Sequence, residues 1–190
     1  HICNHTDRQG RYSYQMQPRI GQWNCFALGQ AMLPLIGSVE QTEAALADYE
    51  AIFQARHAEL LHAKLGLRTQ QPEDEQLIEA LFAILQANGV DFTLFFRRLG
   101  DLRIGNTADD EPVRDLILDR PAFDAWATQY RARLRAEDSD DAARRLAMHA
   151  ANPKYVLRNY LAQEAIDRAL EKDFREVARL QQILQHPFDE

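Results

Sequence analysis

Residues 120–134, RPAFDAWATQYRARL, set Phe123, Trp126, Tyr130 and Leu134 three or four positions apart. Side chains at that spacing share one face of an α-helix, and four large apolar groups on one face call for a core to receive them. The same period recurs along most of the chain. Upstream, Trp23, Phe26, Ala27, Gln30 and Leu33 make a helix that Pro34 is expected to close. Ser38 then offers a side-chain oxygen to the amides of the next helix, with Gln41 placed to reciprocate in a capping box. Val39, Leu46, Tyr49, Phe53 and Leu60 line one long helix ended by Gly66. Leu77, Leu81, Ile84 and Leu85 mark a helix over 72–88 stopped by Asn88-Gly89, and Asp91 caps a short one carrying Phe92, Phe95, Phe96 and Leu99.

Downstream, Glu137 to Asp141 reads as an acidic turn. Asn152-Pro153 reads as a helix start, with Asn as cap and Pro at the first helical position, and helix is expected through Val156, Leu157, Tyr160, Leu161 and Ile166. Asp173 with Glu176 opens a last helix bearing Val177, Leu180 and Leu184 and ended by Pro187. The stretch GDLRIGNTADDEP, residues 100–112, breaks the period and reads as a flexible loop. Gly10, Pro18 and Gly21 with alternating Tyr12 and Tyr14 make residues 1–21 an irregular loop. No segment of any length carries strand period. The expected fold is all-α: about eight packed helices over 22–190 as a single domain behind that loop.

Composition narrows the function classes. The 190 residues are 46% hydrophobic and 27% charged, the balance of an ordinary globular domain. The formal net charge of −7 disfavours phosphate-backbone binding, so no nucleic-acid partner is expected. Arg131, Arg133 and Arg135 read as a solvated helix face. There is no apolar run of membrane-spanning length and no secretion signal, so no membrane partner is expected. Two cysteines, Cys3 and Cys25, form neither a disulfide framework nor a zinc motif, which makes a reducing, cytoplasmic setting the default. With no initiator Met and a start in mid-motif, the chain reads as a piece of a longer protein.

Few residues suggest chemistry. His1, Cys3, His5 and Asp7 alternate and carry zinc-competent groups, but four same-face residues about 7 Å apart on a strand do not converge on a tetrahedral ion. No metal site is therefore assigned. His57 lies on an apolar stripe and reads as half-buried packing; His62, His149 and His186 lack an evident carboxylate or thiol partner. Ser13 sits in no nucleophile-elbow pattern. Glu73, Asp74 and Glu75 read as a favourable first helical turn. No phosphate-cradling glycine loop is present. Neither catalytic nor cofactor-binding residues are assigned.

Two longer blocks carry a resemblance. ICNHTDRQGRYSYQMQPRIGQWN (2–24) is similar to the segment that follows the magnesium-binding aspartate in the selenoprotein O family, and NPKYVLRNYLAQEAI (152–166) resembles that family's Asn-Pro-x-x-Val-Leu-Arg-Asn-(Trp/Tyr)-Leu-Ala-Gln block. DFTLFFRRL, RPAFDAW and the terminal HPFDE fall in the family's order, so the resemblance covers essentially the whole chain. Met16 stands where the family pattern has Asn, which removes any hydrogen bond of that side chain.

The resemblance implies a kinase-like protein adenylyltransferase that moves AMP from ATP to protein hydroxyls with magnesium. The ATP and magnesium residues would lie N-terminal to this stretch. The chain would then be the activation segment (1–21) plus the helical C-lobe and C-terminal extension, inactive alone. Its partners would be the missing N-terminal lobe and protein substrates, with self-association of the fragment through uncovered apolar surface. Arg11, Tyr12 and Tyr14 are candidates for substrate contact; pinning of the loop by these aromatics is the equal alternative. Cys3 is the redox-regulatory candidate, partnering a cysteine or selenocysteine of a C-terminal tail. Cys25, beside Trp23 and Phe26, reads as a small buried hydrophobe. The rival from another class is a stand-alone helical module that binds a protein in a groove between helices.

Overall fold

A computed structural model of the chain describes residues 6–105 and 110–189. Within them every regular element is helical: a 3-10 turn at Tyr14–Met16, then α1 (Gln17–Ile36), α2 (Val39–Leu46), α3 (Tyr49–Leu65), α4 (Asp74–Ala87) and α5 (Phe92–Leu99), followed by α6 (Glu111–Arg114), α7 (Arg120–Ala136), α8 (Asp141–Ala151), α9 (Asn159–Leu170) and α10 (Arg175–Gln185). The all-α expectation holds. The chain divides into two compact units, 1–59 and 60–190, so the division falls inside α3 and not at residue 21.

In the second unit the stripe of α7 is the centre of the core. Phe123, Trp126, Tyr130 and Leu134 are at most 2% exposed, and they meet Phe95 and Phe96 of α5 and Leu77 and Leu81 of α4 in one apolar cluster. Phe95 stands edge-on to both Phe96 and Phe123, and Trp126 stacks on Tyr130 at 5.0 Å between ring centres. Their polar atoms are satisfied in place. The Trp126 indole N–H donates to Leu77 O at 3.0 Å, and the Tyr130 hydroxyl donates to Leu65 O at 2.5 Å. Burial pushes the Tyr130 phenol well above its ordinary range.

The first unit is built differently. α1 packs on α2, where Gly29 lets Thr42 and Leu46 approach closer than a Cβ would permit. Pro34 does not close α1. The helix runs to Ile36, because the Gly37 N–H, at φ 81°, bonds Leu33 O and ends the helix one turn later. Its start is also earlier than expected: Pro18 sits in the first turn, where the missing N–H is harmless, so helix replaces loop from Gln17. The long helix read over 39–65 is two helices, α2 and α3, separated at Ala47-Asp48.

Several local signals act as read. The Ser38 Oγ accepts the Gln41 N–H, as expected of the cap, and its hydroxyl donates to the Glu40 carboxylate. Asp91 caps α5 through the Leu94 N–H and also pairs with Arg158 at 2.7 Å. Asn152-Pro153 does the opposite of what was expected. Asn152 ends α8, its N–H bonded to Met148 O, and takes the extended backbone that a residue before Pro prefers. The chain stays out of helix until Asn159, because the Lys154 and Tyr155 amides donate to Pro187 O instead of to a helical ladder.

Candidate functional site

The sequence-predicted residues that the structure describes lie in the first unit, ahead of α1. Asp7 closes the segment: its two carboxylate oxygens accept the Arg11 N–H at 2.9 Å and the Tyr12 N–H at 2.8 Å. Gly10, at φ 70°, supplies the reversal that this turn needs, and the Ser13 N–H returns to Gly10 O. The Arg11 guanidinium is then held 4.7 Å from the centre of the Trp23 ring and 5.7 Å from that of Tyr12. Arg11 and Tyr12 are thus brought together on α1, while Tyr14 stands apart in the 3-10 turn, 72% exposed. Arg11 pins the segment to Trp23, and Tyr12 and Tyr14 are exposed. The base of the segment is fixed from α3, where the Tyr49 hydroxyl donates to Pro18 O and sits where a Cβ on Gly21 would be.

This arrangement offers two phenol hydroxyls, two aromatic faces and a delocalised cation. It is suited to holding a peptide segment by stacking and hydrogen bonds. Cys3, with His1 and His5, lies outside the described residues. Cys25 is half-buried, not fully buried, and lines an open groove of about 410 Å3 with Leu46, Tyr49, Ile52 and Phe53.

A second cluster, in the other unit, was missed. Arg131 and Arg133 are 6% and 7% exposed, not a solvated face; only Arg135 of the three is exposed. Arg133 bonds Asp74 through Nε at 2.5 Å, Glu137 at 3.0 Å and the Thr69 carbonyl at 2.7 Å. Asp74 also accepts from Gln71 N–H and meets His62 Nε2 at 2.9 Å, so His62 has a carboxylate partner twelve residues away. Glu137 accepts the Arg68 and Thr69 amides. Burial alone would raise the Asp74 and Glu137 carboxyls. The Arg133 guanidinium with the Gln71 amide and His62 for Asp74, and the Arg68 amide, Thr69 hydroxyl and Arg133 for Glu137, outweigh it and hold both below the usual range. Arg131 pairs with Asp110 in the same buried manner. His57 is exposed and stacks on Phe53, rather than being half-buried.

These pairs bind the ends of α3, α4 and α7 together, and each buried charge is answered by its neighbour. They do not fit a triphosphate–magnesium group, since their cations are already taken by carboxylates. Among the described residues no three His, Cys, Asp or Glu side chains gather as a metal would need. An open cavity of about 900 Å3 beside Asp101, Asp141 and Arg145 is of the same kind: Arg145 pairs with Asp101, and Asp141 with Arg144. No described helix is long and apolar enough to cross a membrane.

Comparison with known proteins places the chain. A family model described as protein adenylyltransferase SelO matches residues 1–185. A protein nucleotidyltransferase YdiU of Herminiimonas arsenicoxydans is 65% identical over 190 residues, covering this chain entirely and 38% of the relative. Proteins of the same name from Burkholderia cenocepacia (strain HI2424) and Burkholderia ambifaria (strain MC40-6) are 52% and 51% identical, again over the whole chain and 39% of their own length. The chain spans less than two fifths of the curated relatives it matches, and it belongs to the SelO family of protein adenylyltransferases.

Proposed function

We propose that this chain is the helical part of an ATP- and magnesium-dependent enzyme that transfers AMP from ATP to Ser, Thr or Tyr hydroxyls of proteins, and that it is inactive alone. The observation that carries the reading is the 65% identity over the whole chain to a protein nucleotidyltransferase of which it covers 38%. In this reading the chain is the C-lobe of a kinase-like fold, residues 1–21 are its activation segment, and the nucleotide and magnesium site belongs to the rest of the family polypeptide, which is its first partner. The work is cytoplasmic.

The segment around Arg11 receives the protein substrate. Two exposed phenols, 51% and 72% accessible at Tyr12 and Tyr14, stand beside a guanidinium whose direction Trp23 fixes. A mobile arginine would lose more entropy on binding than one already stacked. Cys3, in the same segment, is the redox-regulatory thiol, which an oxidised partner would tie down.

The test uses a full-length chimaera in which this chain replaces its counterpart in the Herminiimonas relative. With ATP labelled at the α-phosphorus, label should enter protein, and it should not do so with the 190-residue chain alone. Tyr12→Ala with Tyr14→Ala should raise the KM for protein substrate and leave that for ATP unchanged; comparison with and without reductant tests Cys3. Label entering only from the γ-phosphorus, or full activity of the isolated chain, would overturn the reading.

A further inference from the structure

The twenty residues from Ile20 to Val39, IGQWNCFALGQAMLPLIGSV, contain no charged side chain and no histidine. Most of them form α1, and a helix that is apolar on more than one side belongs in an interior. α2 takes only one side, through Gly29 and Leu33. On another, Leu28, Met32 and Leu35 follow at helical spacing as a stripe, 63%, 40% and 80% exposed, with half-buried Cys25 at its edge beside the groove to α2 and α3. Trp23 and Phe26 are half-exposed at the mouth of an apolar groove of about 330 Å3 between α1 and α2. An apolar surface this continuous marks an interface.

We infer that the Leu28–Met32–Leu35 stripe of α1 is the seat of the remaining part of the family polypeptide, so that α1 is an interior helix of the complete protein. This deepens the functional reading and rests on it in one respect, that the rest of the polypeptide accompanies this chain. The length carries the choice of occupant. The Herminiimonas relative, 65% identical over this chain, has more than half of its length outside the region matched here. A lipid surface is the poorer fit, since Gln22, Asn24 and Gln30 interrupt the helix and no described helix is long and apolar enough to cross a membrane. Among the described residues of this unit, α2 and α3 carry charged side chains and offer no second run like Ile20 to Val39, so a second copy would occupy the face that the larger missing portion needs.

Methionine oxidation reads the seat directly. Met148 is fully buried and serves as the internal standard, while Met32 is open to solvent. With dilute hydrogen peroxide, Met32 of the isolated chain should convert to the sulfoxide much faster than Met148, and should slow by about tenfold or more in the full-length chimaera. Equal Met32 rates in the chimaera and the isolated chain would overturn the inference. So would protection of Met32 in the isolated chain that grows with its concentration, which would identify a second copy as the occupant. The outcome is separable from that of the labelling assay: AMP transfer with Met32 still reactive sinks only the seat, and protection without transfer sinks only the activity.

Discussion

The two units use the same secondary structure, but among the described residues only the second encloses a buried apolar core. In residues 60–189 the helices enclose Phe95, Phe96, Phe123, Trp126 and Tyr130, and every buried hydrophobic side chain described lies there. In residues 6–59 the buried positions are Ser13, Gly29 and Thr42, while Trp23, Phe26, Leu28, Met32 and Leu35 remain accessible. Apolar composition is therefore no measure of local stability. A helix as apolar as α1 contributes hydrophobic stabilisation only when something covers it.

That contrast is sharpest under core truncation. Trp126→Ala should cost about 3–5 kcal/mol in urea unfolding followed by far-UV circular dichroism, because it leaves a cavity and frees the Leu77 carbonyl. Met32→Ala in the isolated chain should cost less than about 0.5 kcal/mol, as for other surface sites. The same change in the full-length chimaera should cost about 2 kcal/mol or more, since there the side chain would be interior. A similar cost in both settings would remove the distinction between the units.

The second unit should also be the acid-labile one. Asp74 and Glu137 are held below their ordinary values of 3.8 and 4.5, so the folded state favours their charged forms. Their contribution is complete above those values and fades as pH falls through and below them. Stability of the second unit should be level from pH 7 to about 5 and drop below about 4.5. Asp74→Asn should lower the plateau and flatten the drop; an unchanged pH profile would show that the pair with Arg133 is energetically silent.

Loss of a helix cap in the first unit should cost less than truncation of the core. Ser38→Ala removes the acceptor for the Gln41 amide and should cost about 1 kcal/mol. Thermal melting of the single variant measures it.

What could be read from the sequence was what short range decides. The α7 stripe, the Ser38 and Asp91 caps and the Asn88-Gly89 stop depend on neighbours within a few residues, and they appear as expected. What escaped depends on distance. Arg133 looks like a surface charge until Asp74, 59 residues earlier, is placed against it. Asn152-Pro153 looks like a helix start until Lys64, 88 residues earlier, takes the Asn152 side chain and Pro187 takes the following amides. Pro34 misled because a proline near a helix end sacrifices one bond, which a glycine cap just beyond can outweigh. Of the candidate site, Tyr12 and Tyr14 were legible as loop aromatics with packing and substrate contact both open, whereas the stacking of Arg11 on Trp23 required the turn that Asp7 closes.

Hydrogen exchange along the chain tests the central claim most directly, that the second unit holds itself together and the first is completed by the rest of the family polypeptide. In the isolated chain the amides of α7 should exchange far more slowly than those of α1, and in the full-length chimaera α1 should become as protected as α7. Protection of α1 equal to that of α7 in the isolated chain, or unchanged on going to full length, would contradict it.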